Sequence, residues 1–422
     1  MLPCITRDKN QTLEIERKNV LELAEKFGTP LFIICERHLK ESYRKLTTTF
    51  TSYYPKAIVA YAYKANYLPF ICNVINKEGG WSEVASSFEL NIAKRIGVNP
   101  KKIIFNGPAK THDELLEAMK LGVRMINIDS LSELKKIVFL SKKYNLQANI
   151  GIRVNTSSLD SRWDKFGLNE KDILTACEIL TKMKKVKYTG LHAHLGTQMI
   201  SPKPYQQLVR YLVNISEDIK KRYNLETRFI DIGGGIPVRG IPPVGIRKSK
   251  IPRIKEFAKV VCSTLKKEII KTKMRPPFLV VEPGRIIVSS SIFLLLKIIA
   301  TKRIQTIGKI VFTDGGLNIL PESQYFEYDI IPAVIREGKR EKLQIAGPLC
   351  MQDDLIGRNR ILPPVKEGDI LIVLNAGGYS LSLSWQFAKP RPAVVLIDCN
   401  NRVRLLRRQE NVEDILRLDL FY

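Results

Sequence analysis

Between roughly residues 56 and 285 the chain repeats one pattern, a short apolar run followed by a longer stretch with helical spacing. The strand-like runs are Ala57–Tyr63, Lys102–Phe105, Met125–Ile128, Gln147–Val154, Tyr188–His192, Phe229–Ile232 and Phe278–Val281. Helical periodicity fills gaps between them at Thr111–Leu121, Leu131–Tyr144, Glu170–Lys184 and Tyr205–Arg222. Thr111, followed by His112-Asp113-Glu114, has the form of a helix N-cap with acids in the first turn. Strand–helix alternation this regular predicts a parallel sheet in an α/β fold. After Ile286 alternating strands dominate: Ile310–Thr313, Leu343–Ala346, Ile370–Leu374 and Ala393–Ile397. They predict a second, mostly β domain, and Pro30–Cys35 is a strand-like candidate for the same domain. At 422 residues the chain exceeds one ordinary core. The expected division is 36–285 for the α/β domain and 286–422 for the β domain, with 1–35 contributing to the latter.

Composition narrows the function classes. Hydrophobic content of 45% and charged content of 26% are those of a globular protein. The longest apolar run, near Ser291–Leu296, is cut by Lys297, so no membrane span is expected. The first residues lack the apolar core of a signal peptide, which makes the cytoplasm the expected location. Seven cysteines are dispersed without a CxxC pair, a pattern that argues against a disulfide framework or a zinc site. The net charge of +26 would attract anions. Its densest stretch, Arg247–Lys255, has no interleaved aromatics and reads as a solvated basic face, not a specific nucleic-acid site.

The residues that carry chemistry fall where strands end, which is where a (β/α) barrel places its reactive groups. Lys64 ends the first run. An amine there can lose its proton and condense with an aldehyde, pyridoxal phosphate being the commonest one bound this way. Its plainer role is a stem packed along the strand with the ammonium in water. Arg153 and Asn155 close the Gln147–Val154 run, and His192, His194 and Thr197 follow Tyr188–Leu191. Gly233, Gly234 and Gly235 follow Phe229–Ile232, where backbone N–H groups could approach a phosphate. Glu282, Gly284 and Arg285 follow Phe278–Val281. Glu282 could hold a pyridine nitrogen protonated, or serve as a helix cap or surface acid. His194 could stack on a ring, or be a core histidine. Cys350, in Gly347–Asp354, could donate a proton or be an inert thiol. Asn375–Tyr379 is a turn that would present a phenol.

Taken together these segments resemble the fold-type III pyridoxal-phosphate decarboxylases, the ornithine/diaminopimelate/arginine group, and within it the diaminopimelate decarboxylase-like enzymes. The resemblance rests on Tyr61–Asn66, Glu83–Ser86, Lys165-Phe166-Gly167, His192–Gln198, Gly233–Gly235, Glu282–Arg285, Cys350–Asp354 and Asn375–Tyr379. It implies an alanine racemase-like architecture, a pyridoxal-binding (β/α)8 barrel plus a β-rich C-terminal domain. It implies decarboxylation through a Schiff base, a quinonoid and reprotonation. Lys64 would hold pyridoxal 5′-phosphate and His194 would stack on its ring. Thr197, Gly233–Gly235, Gly284 and Arg285 would hold the phosphate, Glu282 would pair with the ring nitrogen, and Tyr379 would contact the cofactor. Cys350 would come from the partner in a head-to-tail homodimer and return the proton. Arg153, Arg285, Glu322, Met351, Asp354 and Tyr379 would face the substrate.

Two positions depart from the family. Met351 stands where diaminopimelate decarboxylases carry a glutamate for the distal ammonium, and Glu322 lies near their arginine for the distal carboxylate. Losing an ion pair to a substrate group is not neutral. The expectation is therefore decarboxylation of an amino acid other than free diaminopimelate, such as a modified or carrier-attached one. Alternatively, Glu322 or Asp353 would meet a basic end, as in ornithine, lysine or arginine. A racemase and a catalytically inactive partner-binding homologue are the remaining readings. Glu282 argues against the first and the retained Lys64, His194 and Cys350 against the second.

Overall fold

A computed structural model describes residues 4–159 and 164–420. Residues 1–3 and 421–422, at the outer ends of the expected 1–35 and 286–422 segments, lie outside the described residues. The chain forms two compact units: Tyr43–Pro237 with Ser249–Gly284, and Met1–Ser42 with Val238–Lys248 and Arg285–Tyr422. The stretch Val238–Lys248, expected within the α/β domain, belongs to the second of these, as do residues 36–42.

In the first unit eight parallel strands close into a barrel: Ala57–Ala62, Trp81–Val84, Ile103–Phe105, Met125–Ile128, Ala148–Arg153, Val186–His192, Phe229–Asp231 and Phe278–Val281. Each pairs with the next in sequence, and Phe278–Val281 pairs back to Ala57–Ala62. Their apolar residues are almost wholly buried, as strands covered on both faces require. Ala60, Ile104, Met125, Phe229 and Val280 form one cluster of that interior. The helices follow the sequence periodicity closely. His112–Leu121 starts from Thr111, whose hydroxyl accepts from the Glu114 N–H at 3.3 Å, while the Glu114 carboxylate accepts from the Thr111 N–H at 2.9 Å.

The second unit is built on a nine-stranded mixed sheet. Its main path runs Leu355–Leu362, Glu341–Ala346, Gly308–Thr313, Ile292–Ile304, Leu31–Cys35, Ala393–Ile397, Val403–Arg407. Ile292–Leu296 is the buried half of a 13-residue strand. Lys297 marks where that strand emerges to pair with Gly308–Thr313. Leu31–Cys35, fully buried, sits between Ile292–Ile304 and Ala393–Ile397. Among the described residues no helix is long and apolar enough to cross a membrane.

Candidate active site

Lys64 lies one residue past the end of its strand, in the turn Tyr63–Ala65. Its side chain is 43% exposed, so its amine reaches water. Its ammonium pairs with Glu83, a fully buried carboxylate on Trp81–Val84. That strand had no counterpart among the sequence expectations, and its one inward acid is the partner of Lys64.

Glu282 follows the eighth strand and is 5% exposed. Its Oε1 accepts from Asn106 Nδ2 at 2.7 Å, and His192 Nδ1 lies 3.9 Å from the same oxygen. Asp231, at the end of the seventh strand, completes the cluster, with Oδ2 3.3 Å from His192 Nδ1. Burial, then the neighbouring Asp231, holds the Glu282 carboxyl well above the usual carboxylate range. Burial likewise raises Asp231 to about 7 and pushes His192 down to about 4. The ligand atoms of these three residues lie within 4.8 Å of one another, a spacing a metal ion would accept. Burial is the first cause of all three shifts, raising the two acids and lowering the imidazole.

The glycine run works differently from the expectation that its N–H groups wait for a phosphate. The Gly233 N–H donates to Asp231 Oδ1 at 2.9 Å and the Gly234 N–H to His194 Nδ1 at 3.1 Å. The glycines are required by close approach. A Cβ at Gly234 would stand 2.4 Å from the Glu282 carbonyl oxygen, and one at Gly235 2.1 Å from that of Gly196. Gly233 and Gly235 also adopt φ of +67° and +85°. Because His194 Nδ1 accepts a hydrogen bond, the imidazole is neutral, in keeping with a pKa driven well below its ordinary value by burial and by Lys64. Gly284 is equally constrained, its Cβ position 2.5 Å from Ala65 Cβ in the Lys64 turn. Thr197 is exposed in the loop after His194.

Arg153 is held by Asp129 at 3.3 Å and lies over the Phe166 ring, 4.2 Å from its centroid. The Gly167 N–H donates to the same carboxylate at 3.1 Å. The Lys165-Phe166-Gly167 segment thus orients Arg153.

The remaining expected residues lie in the other unit. Arg285 is 6% exposed and bonds both oxygens of Glu322, Nη2 to Oε1 at 2.6 Å. Its guanidinium is 4.8 Å from the Phe326 centroid and 4.6 Å from that of Tyr379. Glu322 is therefore an internal partner of Arg285, where the sequence suggested a substrate contact for each. Asp354 is corrected more firmly. It is buried, and its oxygens accept from the Leu317 N–H at 2.7 Å and the Leu349 N–H at 2.8 Å. It fixes the loop that carries Cys350 instead of facing substrate. Cys350 and Met351 are exposed.

Sequence reading missed Asn106, Asn127, Asp129 and Asp231 as functional candidates, and gave Glu83 no role beyond its place in the Glu83–Ser86 segment. The first four lie in or just after an expected barrel strand, and that position was the available signal.

A family model for the pyridoxal-binding domain of pyridoxal-dependent decarboxylases matches residues 37–289. Diaminopimelate decarboxylase of Methanocaldococcus jannaschii is 32% identical over 96% of this chain and 94% of its own length. That of Methanothermobacter thermautotrophicus is 31% identical over 99% and 97%. The crystal structure of the M. jannaschii enzyme in complex with L-lysine is similar with a TM-score of 0.92 and 30% identity, covering 100% of this chain and 98% of that one.

Proposed function

The chain belongs to the pyridoxal-dependent decarboxylases, and from that membership we propose how its own residues divide the work. It is an enzyme that uses pyridoxal 5′-phosphate to release carbon dioxide from an amino acid. When bound, the cofactor supplies an electron sink for the pair left on the substrate α-carbon.

The residues present fit that group. Lys64 offers a solvent-reachable amine beside a buried carboxylate. Glu282 is a buried acid whose raised pKa suits sharing a proton with a ring nitrogen. His192 Nδ1 and Asp231 Oδ2 are buried and face each other at 3.3 Å without hydrogen-bond geometry. The Lys64–Glu83 and Glu282–Asp231 arrangement in one barrel is the observation that carries the reading. Lys64 would bind the aldehyde and Glu282 hold the proton on the ring nitrogen. The neutral His194 would lie against the ring, and Gly235, Thr197 and Gly284 would meet the phosphate. Cys350, exposed on a loop fixed by Asp354, would serve a second copy of the chain in a head-to-tail dimer and return a proton to the α-carbon.

The distal end of the substrate is read by a different chemistry from that of the diaminopimelate decarboxylases. Met351 offers no charge, and Glu322 is neutralised by Arg285 of its own chain. A distal end without a free ammonium and carboxylate, as in a modified or carrier-attached amino acid, suits this arrangement. A basic end would have to draw Glu322 away from Arg285. Carbon dioxide release is to be measured with meso-diaminopimelate, ornithine, lysine, arginine and forms of these acylated at the distal amine. The acylated forms should turn over best, and Lys64→Ala should abolish both turnover and the visible absorption of bound cofactor. Robust turnover of meso-diaminopimelate would sink the substrate reading. Cofactor absorption that persists in Lys64→Ala would sink the site assignment.

A further inference from the structure

Asn106 directly follows the Ile103–Phe105 strand and is 7% exposed. Its amide nitrogen donates to Glu83 Oε1 at 3.0 Å and to Glu282 Oε1 at 2.7 Å. Its oxygen accepts from Asn127 Nδ2 at 2.7 Å. A carboxamide NH2 has two protons, and here both go to carboxylates. The opposite orientation would set an oxygen against two carboxylate oxygens and one NH2 against another, so the amide has a single acceptable setting. Glu83 in turn pairs with Lys64. A continuous line of hydrogen bonds therefore runs Lys64–Glu83–Asn106–Glu282, all within the barrel unit.

We propose that Asn106 is a positioning residue that couples the carboxylate beside the cofactor-binding lysine to the carboxylate that meets the ring nitrogen. It holds one oxygen of each as an acceptor, so the charge state at one end of the cofactor is felt at the other. Asn127 is its support, since its amide donates to the Asn106 oxygen. The proposal rests on the active-site reading above.

Asn106→Asp is the informative change. It keeps the size of the side chain, removes both donor protons and, when ionised, adds a negative charge beside Glu83 and Glu282. In protein loaded with pyridoxal 5′-phosphate, the Lys64-dependent absorption is titrated against pH, with melting of the cofactor-free protein measured alongside. The midpoint in Asn106→Asp should move by about one pH unit or more, and the absorption should recover at acid pH, where a protonated acid can again donate. Asn106→Leu should show no recovery with acid. Asn127→Leu, which leaves the two carboxylate contacts but removes the donor that holds the Asn106 oxygen, should give a smaller midpoint shift. A midpoint equal to that of the parent protein in Asn106→Asp overturns the proposal, whatever happens to melting. If Asn106→Asp does not fold, the same result in Asn127→Leu overturns it. Loss of the Lys64-dependent signal in the parent protein is a different outcome, and overturns the site reading beneath it.

Discussion

His192 and Asp231 are 3.3 Å apart and buried, and burial disfavours the charged form of each. Burial raises Asp231 from 3.8 to about 7 and lowers His192 from 6.5 to about 4. Between about pH 4 and 6.5 the folded protein carries the proton on Asp231, and the unfolded chain carries it on His192. The proton counts match, so the two linkages cancel in that window. Asp231→Asn leaves His192 alone. The unfolded state then binds the extra proton, and stability should fall as pH drops from 6.5 toward 4, by at most about 1.4 kcal/mol per pH unit. His192→Gln leaves Asp231, whose raised pKa stabilises at low pH, and stability should fall as pH rises from 4 toward 7. Thermal unfolding of the cofactor-free variants at two pH values distinguishes these opposite slopes, and equal slopes would mean the pair is ionic after all. At this scale Lys64, His194 and Glu282 were legible because they follow strand ends. Asn127 and Asp231 were not, because they lie within strands. Pattern reading assigns a polar residue in a strand to the solvent face, and only closure of the barrel turns that face inward.

Trp81–Val84 shows the same effect for a whole element. Ser82 and Glu83 break its apolar run, so a strand buried from Ser82 onward does not look like one. Ile292–Ile304 escaped for another reason, since its first half reads as a continuous apolar block and its second half is exposed. The remaining barrel strands have enough apolar residues to be legible to within two residues at each end. Among the loops, the glycine run is the most constrained. Gly235→Ala would combine a φ of +85° with a Cβ 2.1 Å from a backbone oxygen, and backbone cannot move aside cheaply. A loss of about 3 kcal/mol or more is expected in denaturant unfolding. Gly79→Ala has a similar φ of +86° but nothing within 4 Å, and should cost only about 1 kcal/mol. Equal losses would show that conformation, not close approach, fixes these positions.

Over the whole molecule the seven cysteines divide by access. Cys4, Cys35, Cys72, Cys177 and Cys262 are buried, Cys399 is half-buried and Cys350 is exposed. Burial pushes Cys177 and Cys262 up to about 12, which removes the reactive thiolate. A thiol reagent should titrate Cys350 rapidly, Cys399 slowly and the other five only on unfolding. If Cys350 serves a second copy, its rate should rise on dilution. A rate independent of protein concentration would argue against that arrangement. The densest basic stretch is partly answered within the chain, Lys248 pairing with Asp329. The two-domain plan was legible from the change of texture near Ile286. The capture of Val238–Lys248 by the β unit was not, because its isolated bridge from Pro243 to Phe326 leaves no periodic signal. The place of Leu31–Cys35 has a consequence for synthesis. This strand leaves the ribosome before the barrel strands, but its parallel neighbour Ala393–Ile397 emerges more than three hundred residues later. At ordinary elongation rates it waits roughly 20 to 70 s for that neighbour. The barrel strands all emerge in the interval, so the nascent chain must carry an unfinished apolar strand past a domain that is already able to close.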